Sequence, residues 1–523
     1  MTAVFFSLAF VVIIGRYFVL ASDSVYTKTA SERMELTIEV SQAQGMIYDR
    51  NMIPLVGTEY EYKAVAVPQL IDKETTALYA VNRDEFNTLY DEGTPFVFEC
   101  QSYTKESAGL TVFRLPVRYS ENQLAQHVIG YTSQEGGVDG IEYAYDRILR
   151  GDYGSSSVTY MVDGFGRVLA GEGKKAVINT SAGSGVVLTL DSEIQKICEE
   201  AGKFINKGAI ITADVVTGDI LAMASFPSYS VYDIESALED DRSPMINRAL
   251  YSYSVGSVFK LVTACEGINQ GYGEYVYNCT GAVNLMGQNF NCHKLDGHEQ
   301  QDMKSAIVNS CNTYFINLSS NFDVESLRSL CFNLGFGREM HLCAGMTASA
   351  GVLPSVDELM IPAELANFSF GQGKLTASPL QILQLTCAIA NEGTMPILRL
   401  IKGMTDDGKR AVGEKTSQYA YAIERETALK LQEMMTAAVE DNDESNAKPE
   451  LTTAGAKTST AQTGQFDDDK EEILNAWVTG FFPTDNPKYA VTVLIEDGGF
   501  GNDSAAPVFR EIADEIVKYE EKD

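Results

Sequence analysis

Positive charge is in short supply in this 523-residue chain: 40 Lys and Arg stand against 72 Asp and Glu, a net charge of −32. The attraction behind non-specific nucleic-acid binding is therefore missing, and anionic lipid surfaces are repelled. Glycine and proline, at 43 and 14, are too few for a collagen-like or low-complexity chain, and 10% aromatic residues are too many for general disorder. At about 100–200 residues per domain, a globular protein of roughly two to four domains is left.

Cys-x-x-Cys is absent too. The nine cysteines are odd in number and scattered, unlike a small disulfide scaffold, and are expected as buried thiols. Cys279, Cys292, His293, His298 and Cys311 form the one group that suggests a metal. They lack the spacing of structural zinc sites, so neither a metal nor a cofactor is expected. His127, His293, His298 and His341 are read as surface or core residues, and Trp477, the single tryptophan, as packing for a strand.

What is present begins with an apolar run, Ala3 to Ala21, with Arg16 as its single charge and close to the ~20 residues that span a bilayer. No Lys or Arg precedes it and no small-x-small cleavage site ends it, which favours an uncleaved anchor (1–21) over a signal peptide. With only Met1 and Thr2 ahead of the run, a cytoplasmic leader is expected to be missing. Residues 22–180, with alternating stretches such as Tyr62 to Val67, are expected to form an elongated accessory domain. The small residues Ser181 to Gly185 mark a linker, and residues 181–523 a second domain.

Within that domain, Gly208 to Asp214 and Asp219 to Ser225 predict a hairpin, as do Ala476 to Phe482 and Tyr489 to Ile495. Helical spacing runs from Ser192 to Ile205, Leu380 to Ala390, Glu424 to Val439 and Val508 to Tyr519. A sheet drawn from both ends of the domain with helices between is an α+β architecture, an antiparallel sheet flanked by helices. The acidic stretch Asp441 to Glu450 reads as a solvated loop.

Three short elements could carry chemistry: Ser257-Val258-Phe259-Lys260, Ser310-Cys311-Asn312 and Lys457-Thr458-Ser459. Each is weak alone, since Ser-x-x-Lys recurs at Ser102/Lys105 and Ser445/Lys448 and Lys-Thr-Ser at Lys415 to Ser417. Context separates them. Val255-Gly256-Ser257 opens an apolar helical pattern, which puts the Lys260 amine one turn from the Ser257 hydroxyl. A partly desolvated lysine near another cation, here Lys457, has a lowered pKa and can take a proton from serine. Helix-start amides with an N–H near Thr460 could stabilise an oxyanion, so the set suits acyl transfer without histidine or metal.

These elements, in this order, resemble the class B penicillin-binding proteins, membrane-anchored peptidoglycan D,D-transpeptidases. The resemblance extends over GAIITADVVTGDILAMAS, NRALYSYSVGSVFKLVTA, VNSCNTYF, FSFGQGKLTASPLQI and NAWVTGFFP. In the amino-terminal half, GMIYDRN and the stretch from His127 to Gly151 are similar to the family's non-catalytic pedestal, and no glycosyltransferase region is apparent. The resemblance implies a nucleophile, Ser257, and a base, Lys260. It also implies a proton relay and amide contact at Ser310 and Asn312, and carboxylate binding at Lys457 and Thr458. Oxyanion N–H groups would belong to Ser257 and Thr460, with Ser459 beside them on the substrate-binding strand. Peptidoglycan stem peptides would be substrates, β-lactams inhibitors, a SEDS-type glycosyltransferase a partner, and the catalytic domain would lie outside the cell membrane.

Four departures from the family pattern stand out: Ser459 for glycine, Ala456 for glycine, Val255 for proline, and Gln44 for the arginine before Gly45. A glycine in such a strand lets ligand approach closely, so Ser459 is expected to crowd the cleft if its side chain points inward. A weakened scaffold or sensor on the same fold, or a D,D-carboxypeptidase using water, therefore stays open beside the transpeptidase.

Overall fold

The computed structural model describes residues 2–22, 34–171, 173–179, 183–467 and 469–522. The helix Thr2–Ser22 is long and apolar enough to cross a membrane, and it is the one such helix among the described residues. The chain divides into two compact units, one of residues 1–46, 56–120 and 150–183, the other of residues 47–55, 121–149 and 184–523. Ser181 and Ala182 of the expected linker lie outside the described residues.

A single boundary near residue 181 is thus corrected: two stretches expected in the accessory domain, 47–55 and 121–149, fold with the larger unit. Hydrogen bonding explains the first. Asp49, fully buried, accepts from the amides of Asn51 and Ile53 and from the amide and hydroxyl of Ser192. A buried carboxylate with four donors is held there, because leaving any of them unpaired costs about 1–3 kcal/mol. For the second stretch, the Ala125 amide donates to the Glu199 carboxylate at 2.8 Å.

The smaller unit holds two three-stranded antiparallel sheets. In one, Glu59–Ala66 is central between Phe96–Cys100 and Leu110–Val117. In the other, Ser155–Met161 lies between Glu35–Gln42 and Lys174–Val177.

The larger unit is built on α1 (Ser192–Ala201), β1 (Gly208–Asp214), β2 (Ile220–Phe226), α2 (Lys260–Asn269), α3 (Asn312–Ser319), α4 (Pro379–Ala390), α5 (Arg425–Glu440), β3 (Gly455–Phe466), β4 (Glu472–Phe482), β5 (Tyr489–Ile495) and α6 (Ala505–Glu520). Its five-stranded sheet runs in the order β2-β1-β5-β4-β3, antiparallel throughout, so the two ends of the domain meet where β1 pairs with β5. Both predicted hairpins and all four helical stretches are present, with ends shifted by a few residues. Helices α1 and α6 cover one face, where Ile194, Cys198, Phe509 and Ile512 pack with Val478 and Val491. Helix α4 covers the other, and every one of its residues is buried. With both faces covered, the strands read as continuous apolar runs rather than alternating ones. Each fully buried residue of this kind contributes roughly 1.5–3 kcal/mol.

Helix α4 starts sharply because Ser378 and Gln381 form a reciprocal cap and Pro379 needs no amide partner there. The acidic stretch 441–450 is less solvated than expected. Ala447 is buried, and Asn446 pairs with Asn502 through both its amide and its side chain.

Candidate active site

The site begins at a glycine. Gly256 has φ +61°, a conformation that favours a residue without Cβ, and a Cβ there would lie 2.4 Å from Ser459 Oγ. Residues Gly256–Phe259 then form a 3₁₀ turn that runs into α2, where a simple helix start was expected. In a 3₁₀ turn residues i and i+3 eclipse, so Ser257 and Lys260 project to the same side. Lys260 Nζ accordingly sits 3.0 Å from Ser257 Oγ.

The same amine reaches a second element. Nζ donates to Ser310 O at 2.6 Å, Ser310 Oγ at 3.1 Å and Asn312 Oδ1 at 2.6 Å. Ser310 has φ +49°, in the left-handed region, and Asn312 opens α3. The turn is held because the Cys311 amide donates to Ala306 O at 2.9 Å, which places Ser310 and Asn312 toward the lysine and Cys311 away from it.

Lys260 is wholly buried, and burial followed by the nearby Lys457 charge holds its pKa well below the ordinary lysine value. Lys457, also buried, is pushed down to about 8 by burial. Its Nζ donates to Thr458 O at 3.0 Å. The two lysines thus differ in use: one is surrounded by hydroxyl and amide oxygens, and the other stands on β3, the edge strand of the sheet.

Ser459 does not crowd the site as expected. Its side chain is 3% exposed and its hydroxyl donates to Val255 O at 2.9 Å, tying β3 to the turn that carries Ser257. Ala456 packs in the apolar cluster with Val478 and Phe509, so its Cβ points into the core. Trp477 pairs with Ser459 across β3 and β4, and its Nε1 donates to Ser254 O at 3.0 Å, a second tie to the same turn. Val255, where the family has proline, is buried at this junction.

A cleft of about 730 Å³ opens over these residues, lined by Ser257, Ser310, Asn312, Thr458, Ser459 and Thr460. Lys260 and Lys457 lie behind its wall. All eight expected site residues are thereby brought to one place. The cleft also has walls that no motif flagged: the hairpin residues Gln288 to Asn291, Asn367 with Gln372, and Phe500 with Asn502. For Gln372 the signal was available in FSFGQGKLTASPLQI, which begins one residue after Asn367; the hairpin has no pattern that would have found it.

Behind the Ser310 turn the cysteines gather, contrary to what their spacing suggested. One donor atom each from Cys279, Cys292, His298 and Cys311 lies within 4.8 Å of every other. His293 is not in the group, although its ring centroid is 4.9 Å from that of His298. The other histidines fit the expectation. His127 is buried against the Pro244 carbonyl, with burial lowering its pKa to about 4, and His341 is exposed.

Comparison with known proteins identifies the fold that carries this cleft. Residues 208–514 match the penicillin-binding protein transpeptidase domain. The chain is 27% identical over 447 residues to the peptidoglycan D,D-transpeptidase MrdA of Acinetobacter baumannii, a match covering 75% of this chain and 65% of that relative. Among solved structures, a peptidoglycan synthase complex described as coordinating polymerization and crosslinking aligns with TM-score 0.72 and 24% identity, over 98% of this chain and 97% of that one. Penicillin-binding protein A of M. tuberculosis, solved as a ceftriaxone acyl-enzyme complex, aligns with TM-score 0.66 and 21% identity over 90% and 98%.

Proposed function

The chain belongs to the penicillin-binding protein transpeptidase family, and we propose that it is a class B enzyme cross-linking peptidoglycan stem peptides through an acyl-enzyme on Ser257. The observation that carries this reading is the buried Lys260 amine in hydrogen-bond reach of Ser257 Oγ, Ser310 Oγ and Asn312 Oδ1 together. Burial and the nearby Lys457 charge lower the Lys260 pKa and so favour the neutral amine, whose lone pair can accept the serine proton.

In the first half-reaction Ser257 Oγ bonds to the penultimate D-Ala carbonyl carbon while its proton passes to Lys260 Nζ. The N–H groups of Ser257 and Thr460 take the oxyanion. The amide C–N bond then breaks, and the proton returns through Ser310 Oγ to the departing D-Ala amine. In the second half-reaction an amine of a neighbouring strand attacks the ester, its proton moves to Lys260, and Ser257 leaves reprotonated. Asn312 holds the substrate amide. Lys457 and Thr458 bind its terminal carboxylate, with Ser459 and Thr460 continuing the strand beside the peptide. β-Lactams would acylate Ser257 in the same way and stay.

The N-terminal helix supports a single membrane anchor, with the catalytic unit outside the cell where the substrate is. The smaller unit would serve as a non-catalytic pedestal. The likeness to a peptidoglycan synthase complex described as coordinating polymerization and crosslinking supports partnering with a glycan polymerase, which the family resemblance makes a SEDS-type glycosyltransferase.

The test is labelling of the detergent-solubilised full chain with a fluorescent penicillin, followed by mapping of the adduct. One adduct on Ser257, lost in Ser257→Ala, is expected; no adduct at saturating drug would sink the reading. Product analysis on a D-Ala-D-Ala peptide with an added amine then separates amide exchange from hydrolysis.

A further inference from the structure

An arginine is almost never fully buried unless its charge is paired, and Arg248, nine residues ahead of Ser257, is 3% exposed. Three of its guanidinium contacts explain this. Nε donates to Glu496 Oε1 at 2.7 Å, Nη1 to Ser243 O at 3.1 Å and Nη2 to Arg242 O at 2.5 Å, while the Arg248 amide donates to Ser225 Oγ at 3.0 Å. Glu496 is itself fixed just past the end of β5, where its amide donates to Lys207 O at 2.9 Å beside the start of β1.

The same carboxylate oxygen takes a second donor. Tyr253 Oη donates to Glu496 Oε1 at 3.1 Å, and burial followed by the Glu496 charge holds the Tyr253 pKa well above its ordinary value, so the hydroxyl keeps its proton. Tyr253 begins the four residues that lead into Ser257, and each of the four is tied to a different part of the fold. Tyr253 is held by Glu496, Ser254 O by Trp477 Nε1 of β4 and Val255 O by Ser459 Oγ of β3, and the Gly256 amide donates to Gly371 O at 2.8 Å. The Tyr253 and Trp477 rings also meet edge to face, with centroids 6.3 Å apart. Of the four ties, only the first involves an ionised group. Glu496, Arg248 and Tyr253 do not line the cleft, so this tie reaches Ser257 from outside the substrate's surroundings.

We propose that Glu496 is a positioning residue for the reaction at Ser257: its carboxylate clamps Arg248 and Tyr253 on either side of residues 249–252 and thereby sets where the 3₁₀ turn presents the Ser257 hydroxyl. The role rests on the reading of Ser257 as the acylated nucleophile. A displacement of about 1 Å at a reacting atom can slow attack about 10²-fold, so a loosened clamp shows in the rate of bond formation and not in the binding that precedes it. Glu496→Gln keeps an acceptor for Tyr253 but leaves the Arg248 guanidinium buried without its anion. Tyr253→Phe is the gentler change, since it keeps the ring against Trp477 and removes one hydrogen bond.

The test is rapid-mixing acylation of the detergent-solubilised full chain by a fluorescent penicillin over a range of concentrations, which separates the limiting acylation rate from the dissociation constant of the complex that precedes it. Glu496→Gln is expected to lower the limiting rate roughly tenfold or more and Tyr253→Phe about threefold, with the dissociation constant within about twofold of wild type in both. Lys488→Gln breaks an exposed ion pair with Glu520 at the opposite end of β5 and should keep the wild-type rate, which separates the clamp from a general loosening of the strand. Should Glu496→Gln fail to fold, Tyr253→Phe decides by itself. Wild-type limiting rates in the folded variants, or slowing that comes wholly from a weaker complex, overturn the role of Glu496. Wild-type protein that takes up no penicillin overturns the reading of Ser257 instead.

Discussion

The two sides of the Ser310–Cys311–Asn312 turn make opposite demands on the residues that meet there. In front, a lysine is stripped of water and ringed by hydroxyl and amide oxygens, so its amine is kept ready to accept a proton. Behind, three buried cysteines and His298 bring their donor atoms within 4.8 Å of one another, and Cys292 also reaches the cleft wall. One tripeptide serves both because alternate residues point to opposite sides. The difference teaches that a reactive group needs a few oxygens and a low dielectric, whereas a rigid wall behind it can be built from unrelated chemistry.

The front side breaks most completely at Lys260. Lys260→Ala is expected to slow acylation by a fluorescent penicillin about 10²–10⁴-fold, the usual range for removing a general base. Retention of near wild-type acylation would show that another group takes the serine proton. Cys311→Ala sharpens the contrast from behind: it keeps both flanking polar residues and should slow acylation far less.

The pH dependence comes next. In the proposed reaction Lys260 acts as the neutral amine, which its lowered pKa favours, and Lys457 binds carboxylate while charged. The rate should therefore fall on the alkaline side of about pH 8, approaching tenfold per pH unit, and Lys457→Arg should move that limb upward. Stability should show the opposite sign. Between about 8 and 10.5 the unfolded chain binds more protons at Lys457 than the folded one, so this group makes folding more favourable as pH rises. Urea unfolding of wild type and Lys457→Met across that window isolates the contribution as their difference.

A smaller effect tests the turn that carries Ser257. Gly256→Ala places a Cβ at φ +61° and 2.4 Å from Ser459 Oγ, and the backbone conformation alone costs about 1–3 kcal/mol. Adding Ser459→Gly should recover the part due to the clash and leave the conformational part, which paired chemical denaturation curves would separate. Ser459→Gly alone is the mildest change. It removes the hydrogen bond to Val255 O, worth about 0.5–1.5 kcal/mol. A drop in stability without a rise in penicillin labelling would show that Ser459 braces the turn and does not restrict the cleft.

Much of the front side was legible in the chain. Ser257 and Lys260 are three residues apart, so any tight helical turn brings them together, and the apolar strands and helices of the sheet announce themselves by runs and periodicity. The Ser459 departure was visible as well, but its direction was not, because facing depends on the pairing of Ser459 with Trp477. The assignment of residues 47–55 and 121–149 was missed for the same reason: the buried Asp49 finds its partner at Ser192, 143 positions away.

The residues by themselves determined that the Ser257 hydroxyl and Lys260 amine share one turn, along with the antiparallel hairpins and the long amino-terminal apolar helix, since each follows from neighbours within a turn or two along the chain. Tertiary structure alone decided that Lys260 is wholly buried, that the 282–291 hairpin walls the cleft, and that Cys279, Cys292, His298 and Cys311 meet. Those outcomes depend on which distant segments close on one another, and closure is set by the whole packed core rather than by any local spacing.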